Sequence, residues 1–324
     1  MHIFKNPHYD FVRWKWHAIA LSWLIILSGL YVIQTKGMPK GVEFSGGTIV
    51  ILHFDRQPNI EQVRNGLANG VPDGGNAIVQ RYGDPSANQV MVRVHTAGAE
   101  AGGSLSATAD QVTAALGKAN LGKFEVVGTE IVGPTVGKEL QTRGTLATIF
   151  ALAGILVYIA FRFQFSFAVG AVVATVHDLL ITLAVLAFFR YDLSLNIIAA
   201  ILTITGYSMN DTIVIFDRIR ENMRSMRRDN IAHIVNVAVN QMLDRTLITG
   251  GLTMLSVIAL YLFGGEVLKG FAFTMIVGII TGTYSSVFIA AAIVVIWQGR
   301  KPIRAAPAAP VAPARKAGRR VRAS

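Results

Sequence analysis

Cysteine is absent from the 324 residues, and charged residues make up only 15% of them. The lack of cysteine excludes disulfide bonds, thiol nucleophiles and thiolate metal sites. The low charge, together with 52% hydrophobic residues and a mean hydropathy of +0.47, excludes an ordinary soluble domain. Several apolar runs reach the roughly 20 residues that a membrane-spanning helix needs. The sequence therefore predicts a polytopic α-helical membrane protein.

The net charge of +11 is distributed unevenly along the chain. Acidic and basic side chains balance between residues 34 and 138, and the basic excess lies in the N-terminus, in residues 216–245 and in the C-terminal tail. Basic residues gather in this way on the cytoplasmic flanks of membrane helices. We therefore expect contact with the lipid bilayer and no nucleic-acid partner.

The apolar runs predict six transmembrane helices. A cytoplasmic N-terminus over residues 1–16 precedes a first transmembrane helix over 17–33, and residues 34–138 form a periplasmic α+β domain. Residues 139–297 hold a five-helix transmembrane bundle, and residues 298–324 form a basic cytoplasmic tail that is expected to be disordered. The spans of the bundle are predicted at 144–161, 167–189, 193–216, 243–263 and 271–297. Six spans place both termini in the cytoplasm.

The periplasmic segment has a different pattern, with short runs typical of strands and helices in the order βαββαβ. This order is typical of the ferredoxin-like fold, and about 100 residues is an ordinary domain size. The strands are predicted at 48–54, 77–82, 89–95 and 124–132, the helices at 59–68 and 106–116, and a glycine-rich loop at 98–103.

The cytoplasmic segment 217–242 begins with a charged run and continues with apolar residues at helical spacing. Such a pattern predicts an amphipathic helix that lies along the inner leaflet of the membrane. The apolar residues are Ile231, Ile234, Val235, Ala238 and Val239.

Ionisable residues occur within or at the edge of three predicted spans. Asp178 lies near the centre of the third span, and Asp211 lies in the inner half of the fourth, next to Asn210. Arg245 opens the fifth span. A charge at that depth costs about 2.5–3.5 kcal/mol on insertion scales, and such side chains normally face the bundle interior and pair. Burial raises the pKa of a carboxyl group, whereas a nearby cation lowers it. Asp211 and Arg245 are therefore predicted to couple proton flow to a change of shape, with Asp178 and Asn210 as further candidates.

A structural explanation stays open for each of these residues. Arg245 can snorkel to the cytoplasmic surface. Asp211 can be a structural acid that is hydrogen-bonded to Asn210 or Thr212. Asp178 can pair with a hydroxyl group or a neighbouring helix.

Helical spacing also predicts the direction of His177 and the faces by which several spans pack. His177 is expected to point away from the face of Asp178 and to act as a packing residue. Stripes of small residues on the fourth and sixth spans predict helix packing. They are Thr203, Gly206 and Asn210 on the fourth span, and the GxxxG pair Gly278 and Gly282 on the sixth. A single face of the fifth span carries Arg245, Thr249, Thr253 and Ser256.

Residues 206–222, GYSMNDTIVIFDRIREN, resemble the fourth-span signature of the SecF family of bacterial protein-export membrane proteins. Residues 176–178, 245–247 and 282–286 resemble motifs of its third, fifth and sixth spans. Two further elements flank the periplasmic domain. They are the FxGG element with Phe44, Gly46 and Gly47, and the VGPxVGxEL element with Gly133 and Pro134. The resemblance covers about residues 9–297.

The resemblance implies a subunit of the bacterial inner membrane that pairs with SecD. Such a subunit uses the proton-motive force to help unfolded preproteins finish crossing after the SecYEG channel has acted, with a YajC-type accessory subunit nearby. It also implies that Asp211 and Arg245 take part in proton transport. We expect no catalytic residue, no cofactor and no metal site.

Other functions are compatible with the same residues. A passive scaffold would only stabilise the translocase, and a proton-driven small-molecule transporter of the resistance-nodulation-division superfamily would need a larger outer domain. An intramembrane aspartyl protease would use Asp178 and Asp211 as a dyad, which requires near contact. Counting residues from the predicted span ends places the two acids at different depths, which disfavours the protease.

Overall fold

The structure is a computed structural model that describes residues 7–72, 74–83, 85–94 and 102–299. Its strands are β1 (Gly47–Phe54), β2 (Ile78–Tyr82), β3 (Gln89–Val94) and β4 (Phe124–Val132). Its helices are α1 (Lys15–Lys36), α2 (Val42–Ser45), α3 (Ile60–Gly70), α4 (Gly102–Lys118), α5 (Pro134–Arg162), α6 (Phe165–Phe188), α7 (Leu195–Ser225), α8 (Ile231–Phe263), α9 (Gly265–Ser285) and α10 (Ala291–Gln298). The predicted tail from residue 300 on and residues 98–101 of the predicted glycine-rich loop lie outside the described residues.

The described residues contain six helices that are long and apolar enough to cross a membrane, which confirms the predicted number of spans. Helices α1, α5, α6, α7 and α8 supply five of them. The sixth is formed by α9 and α10, which are joined by the π-helical turn Ser286–Ala290. The protein is therefore a multi-pass membrane protein.

The strands form one antiparallel sheet in the order β2-β3-β1-β4. With α3 between β1 and β2 and α4 between β3 and β4, the chain follows the predicted βαββαβ order of the ferredoxin-like fold. Alternate residues of β1 point to opposite faces. Val50, Leu52 and Phe54 lie in the core under the helices, whereas Ile49 lies on the other face with Met91 of β3.

The FxGG and VGPxVGxEL elements meet where the sheet domain joins the bundle. Gly46 and Gly47 have backbone φ angles of 70° and 133°, which favour glycine and turn the chain from α2 into β1. Gly133 caps the N-terminus of α5, and Pro134 opens it. One turn into α5, a β-carbon at Gly137 would lie 3.2 Å from the backbone nitrogen of Gly46. The two elements therefore allow the entrance and the exit of the domain to pack closely.

The loop between α6 and α7 holds the sheet domain against the bundle. Nη2 of Arg93 on β3 lies 2.6 Å from Oδ2 of Asp192 in this loop, and the Arg93 side chain is only 4% exposed. The backbone N–H of Leu193 donates to the Pro39 carbonyl, and that of Gly41 donates to the Leu193 carbonyl. The outer face of the sheet thus lies against one end of the bundle.

Small residues bring the membrane helices close together. A β-carbon at Gly278 of α9 would overlap Ile204 of α7, and one at Gly282 would lie 2.8 Å from Cβ of Ser208. The GxxxG pair therefore lies on the face of α9 that packs against α7. A β-carbon at Gly29 of α1 would likewise overlap Ala184 of α6.

The prediction of a separate amphipathic helix over 217–242 is wrong. Helix α7 continues to Ser225, and α8 begins at Ile231 and runs without a break into the bundle. The apolar residues Val235 and Val239 of α8 lie in one core with Phe216 and Ile219 of α7. The apolar stripe is therefore covered by a helix of the same chain, and lipid is not needed to cover it.

The stripe of Thr203, Gly206 and Asn210 also differs from the prediction. All three residues are exposed, and a β-carbon at Gly206 would contact nothing within 4 Å. Gly206 and Asn210 line an open groove of about 490 Å³ between α5 and α7. Among the described residues, Thr203, Gly206 and Asn210 therefore do not form a close helix-packing face.

Candidate functional site

Asp211 is half-buried on α7 and accepts a hydrogen bond from each of two other segments. Thr246 Oγ1 of α8 donates to Oδ1 over 2.7 Å, and Ser286 Oγ of the π-helical turn donates to Oδ2 over 2.9 Å. Both hydroxyl donors are buried. The open interpretation that Asp211 bonds to Thr212 is wrong, since the buried Thr212 Oγ1 has no hydrogen-bond partner among the described residues.

Arg245 and Asn210 are exposed and lie beside Asp211 on the same side of the bundle. Arg245 acts on Asp211 electrostatically. Among the described side chains, the hydrogen-bond partners of Asp211 are the two hydroxyls, so the structure does not bring the guanidinium into direct contact with the carboxyl group. Arg245 thus acts on Asp211 through space and forms no hydrogen bond with it among the described side chains.

The outer face of α8 offers no hydroxyl to Asp211. Thr249 and Ser256 are exposed and Thr253 is half-buried, and each of the three donates to a backbone carbonyl of its own helix. Thr246, which lies next to Arg245, is buried and directs its hydroxyl to Asp211 instead.

Asp178 is 3% exposed and lies at the centre of the bundle on α6. Ser208 Oγ of α7 and Ser285 Oγ of α9 donate to its Oδ2 over 2.5 and 2.8 Å. His177 Nδ1 lies 3.0 Å from its Oδ1. The open interpretation that Asp178 pairs with hydroxyls therefore agrees with the structure, and both carboxyl oxygens have partners.

The prediction that His177 points away from Asp178 is wrong. Consecutive residues of a helix differ by about 100° in direction, but a histidine side chain is long enough to reach back to the neighbouring carboxyl group. Its other ring nitrogen, Nε2, lies 2.8 Å from Ser22 Oγ of α1. Ser22 Oγ lies 3.2 Å from the hydroxyl of Tyr284, which donates to the Ala18 carbonyl over 2.7 Å.

Two consecutive serines connect the two acids. Ser285 donates to Asp178 on α6, and Ser286 donates to Asp211 on α7. The π-helical turn begins at Ser286, and wide turns of this type occur frequently at functional sites. Because the serines are adjacent, the two carboxyl groups lie at neighbouring depths, and the prediction of different depths is wrong. That prediction counted from a span end at Phe216, although α7 continues to Ser225.

Sequence reasoning missed the hydroxyl groups that hold the acids. All four of them lie inside motifs that were recognised for other reasons. Ser208 precedes Asp211 by one helical turn in the fourth-span signature, Thr246 is the middle residue of the fifth-span motif, and Ser285 and Ser286 end the sixth-span motif. The described residues contain no group of three or more His, Asp or Glu side chains that could hold a metal ion.

Comparison with known proteins identifies the family. The family model described as "Protein export membrane protein SecD/SecF, C-terminal" matches residues 111–300. The protein translocase subunit SecF of Pseudomonas aeruginosa is 42% identical over 281 residues, which cover 86% of this chain and 88% of the relative. The subunit of the same name from Escherichia coli O157:H7 is 38% identical over 285 residues, which cover 88% and 86%.

A solved structure agrees with these relatives. The crystal structure of SecDF, a translocon-associated membrane protein from Thermus thermophilus, has a TM-score of 0.79 and 32% sequence identity to this chain. The match covers 91% of this chain and 39% of the SecDF chain, so this chain spans about two fifths of that protein. A match of the family model over more than half of the sequence and two relatives that match over 86–88% of both chains lead to one conclusion: the chain belongs to the SecD/SecF family of protein-export membrane proteins.

Proposed function

We propose that this chain is the SecF-type subunit of a Sec protein-export machinery and that Asp211 couples its movement to proton flow. It works with a SecD-type partner, next to the SecYEG translocon and a YajC-type accessory subunit, on unfolded preprotein. The half-buried Asp211, held by hydroxyls from two other segments in a chain of the export family, is the observation that carries this proposal.

The basic residues favour an orientation in the bacterial inner membrane. Arg224 lies in the last turn of α7, and Arg227 and Arg228 lie in the connection to α8, on the side of the bundle opposite the sheet domain. Loops between membrane helices that are rich in lysine and arginine stay in the cytoplasm. The termini are therefore cytoplasmic, and the sheet domain is periplasmic.

The exposed faces support a partner inside the membrane. Thr203, Gly206 and Asn210 lie exposed along α7, with Arg245 nearby on α8. Polar residues in membrane helices normally face protein or a water-filled cavity. The match covers only 39% of the SecDF chain, and a SecD-type partner supplies the remaining helices that cover this side of Asp211.

The hydroxyl of Ser286 gives Asp211 a way to change the packing. Its single hydrogen has two acceptors, Oδ2 of Asp211 at 2.9 Å and the Thr283 carbonyl at 3.0 Å. An ionised carboxylate draws this hydrogen to itself, whereas a protonated carboxyl group needs an acceptor and releases the hydroxyl to Thr283. Protonation of Asp211 therefore changes the link between α7 and the π-helical turn, which biases the equilibrium between two conformations.

The test replaces Asp211 with asparagine, which keeps the shape of the side chain and removes the titratable group. We expect Asp211→Asn to insert and to bind the SecD-type partner as the unmodified chain does, and to lose the stimulation of preprotein export by the proton-motive force. Export into inverted membrane vesicles, with and without a proton gradient, measures this.

The matched control is Asp217→Asn, six residues further along α7. Asp217 is about half exposed and lies 3.8 and 3.5 Å from the guanidinium groups of Arg162 and Arg220. The control should export as the unmodified chain does. If Asp211→Asn responds to the proton gradient as well as its control, the coupling role fails and a passive scaffold is the better explanation.

A further inference from the structure

A chain of hydrogen bonds, buried at His177 and Asp178 and part-buried at Tyr284, connects three helices on the side of Asp178 that is remote from Asp211. It runs from the Ala18 carbonyl of α1 through Tyr284 of α9 and Ser22 of α1 to His177 and Asp178 of α6. Each hydroxyl in such a chain has one hydrogen to donate. The direction of every bond can therefore be worked out from the one end that is fixed.

The fixed end is the Ala18 carbonyl, which can only accept. Tyr284 uses its single hydrogen on this carbonyl at 2.7 Å, so its oxygen must accept from Ser22 at 3.2 Å. Ser22 has then used its own hydrogen and must accept at 2.8 Å from His177. It follows that Nε2 of His177 carries a hydrogen.

The other ring nitrogen faces the carboxyl group. Oδ2 of Asp178 is an acceptor for the hydroxyls of Ser208 and Ser285, and Oδ1 lies 3.0 Å from Nδ1 of His177. A hydrogen bond between Nδ1 and Oδ1 needs one hydrogen between these atoms. Since Nε2 already carries its own, this hydrogen is one more than a carboxylate and a neutral imidazole possess together. The pair therefore holds an additional proton and is uncharged as a whole.

The surroundings of the pair favour the uncharged form. His177 and Asp178 are 7% and 3% exposed. The ring of Tyr284 stacks on the imidazole with centroids 6.0 Å apart. The cavity of about 290 Å³ beside His177 is otherwise lined by Ser22 and apolar side chains from α1, α6 and the helices after Ser285. Tyr284 and Asp178 are thus the titratable groups that face His177 among the described residues, and an unbalanced charge at this place would be costly.

We propose that His177 and Asp178 form a second proton-holding site, in which one proton is shared between Nδ1 and Oδ1 and helix α1 keeps it in place. A movement that separates Ser22 from Tyr284 frees the Ser22 hydrogen to bond to Nε2. The Nε2–H bond then breaks, its proton passes to water admitted by the same movement, and the pair is left as a neutral imidazole and a carboxylate. The use of this step in export rests on the proposed proton coupling, whereas the existence of the site does not.

The experiment reads the histidine ring directly. The full chain, labelled with 15N-histidine and embedded in lipid nanodiscs, is studied by 15N NMR at neutral pH, and the variant His177→Gln assigns the signals of His177. We expect a protonated Nε2 and a strongly hydrogen-bonded hydrogen between Nδ1 and Asp178. A wild-type ring with a bare Nε2 would overturn the proposal.

Tyr284→Phe tests the part played by α1. Without the tyrosine oxygen, the Ser22 hydrogen is free to bond to Nε2, so we expect the tautomer to change to one with the hydrogen on Nδ1 alone. Tyr207→Phe, which removes the hydroxyl of another tyrosine of the bundle, is the matched control and should leave the ring unchanged. An unchanged ring in Tyr284→Phe would show that α1 does not set the tautomer and would contradict the proposal.

Failure of this inference can be distinguished from failure of the proposed function. If Asp211→Asn leaves export unchanged, the coupling role is lost, but the ring nitrogens of His177 still decide whether the second site exists. If the ring carries no additional proton and Asp211→Asn abolishes stimulation, the coupling role stands and only the second site is rejected.

Discussion

Asp178 and Asp211 are each held by one member of the same Ser285–Ser286 pair, yet their surroundings differ. Asp178 is enclosed by its own chain, with donors on α7 and α9 and the imidazole of His177 on its remaining oxygen. Asp211 has two hydroxyl partners and an exposed flank beside Arg245. An acid whose partners are all internal is suited to holding a proton in a fixed network. A half-open acid is suited to exchanging one with a partner or with water.

The largest difference should appear on deletion of each carboxyl group. Asp178→Ala leaves the buried hydroxyl of Ser208 and the ring of His177 without this acceptor, and Ser285 retains only the Gly282 carbonyl at 3.2 Å. We expect the free energy of unfolding to fall by about 3–5 kcal/mol. Asp211→Ala should cost less than about 2 kcal/mol, because Ser286 retains the Thr283 carbonyl and the site is half open.

Unfolding of both variants by denaturant titration in lipid nanodiscs measures this difference. Equal losses of stability for the two alanine variants would mean that Asp211 is as much a structural residue as Asp178, and the contrast between the two acids would disappear.

The two adjacent serines should separate stability from coupling. Ser285→Ala removes a donor from the buried Asp178, and we expect a loss of about 1–2 kcal/mol in the free energy of unfolding. Ser286→Ala should lower stability by less than about 1 kcal/mol and weaken the response of export to the proton gradient. The same unfolding and vesicle assays compare the pair, and serine variants that cannot be told apart in both assays would contradict separate roles.

The smallest difference is expected between two threonines that lie one helical turn apart on α8. Thr246→Val removes the hydroxyl that donates to Asp211 and should cost about 1 kcal/mol of stability together with part of the export response. Thr249→Val is the matched control, since its exposed hydroxyl donates to carbonyls of α8 itself. Its effect should stay within about 0.5 kcal/mol. A control that reduces export as much as Thr246→Val would show that the effect comes from α8 in general.

Local patterns were sufficient to predict the fold. Long apolar runs predict membrane-spanning helices from their length and composition. The order of short strands and helices predicts the sheet topology. Both patterns are properties of contiguous residues and can be read directly from the sequence. The acids could also be predicted, because Asp178 and Asp211 stand out as ionisable groups in apolar surroundings.

The partners of the acids could not be predicted in the same way. Thr249, Thr253 and Ser256 bond to their own helix, whereas Thr246 reaches Asp211 on another. Which of these two choices a hydroxyl makes depends on the rotation and closeness of the helices. The rotation and closeness of the helices follow from tertiary contacts, such as the close approach of Gly282 to Ser208. The spacing of residues along one helix does not determine these contacts.

The tie between Arg93 and the loop joining α6 to α7 has a mechanical consequence. The loop joins the helices that carry Asp178 and Asp211. An ion pair holds it to the sheet at Arg93, and two main-chain hydrogen bonds hold it to Pro39 and Gly41 in the segment that leads into the sheet domain. The outer end of α6 lies about 15 Å beyond Asp178 at 1.5 Å per residue, so a tilt of about 10° at the acid would swing the loop by about 3 Å. A change of charge at these acids would thus be transmitted to the sheet domain as a movement of the loop between α6 and α7.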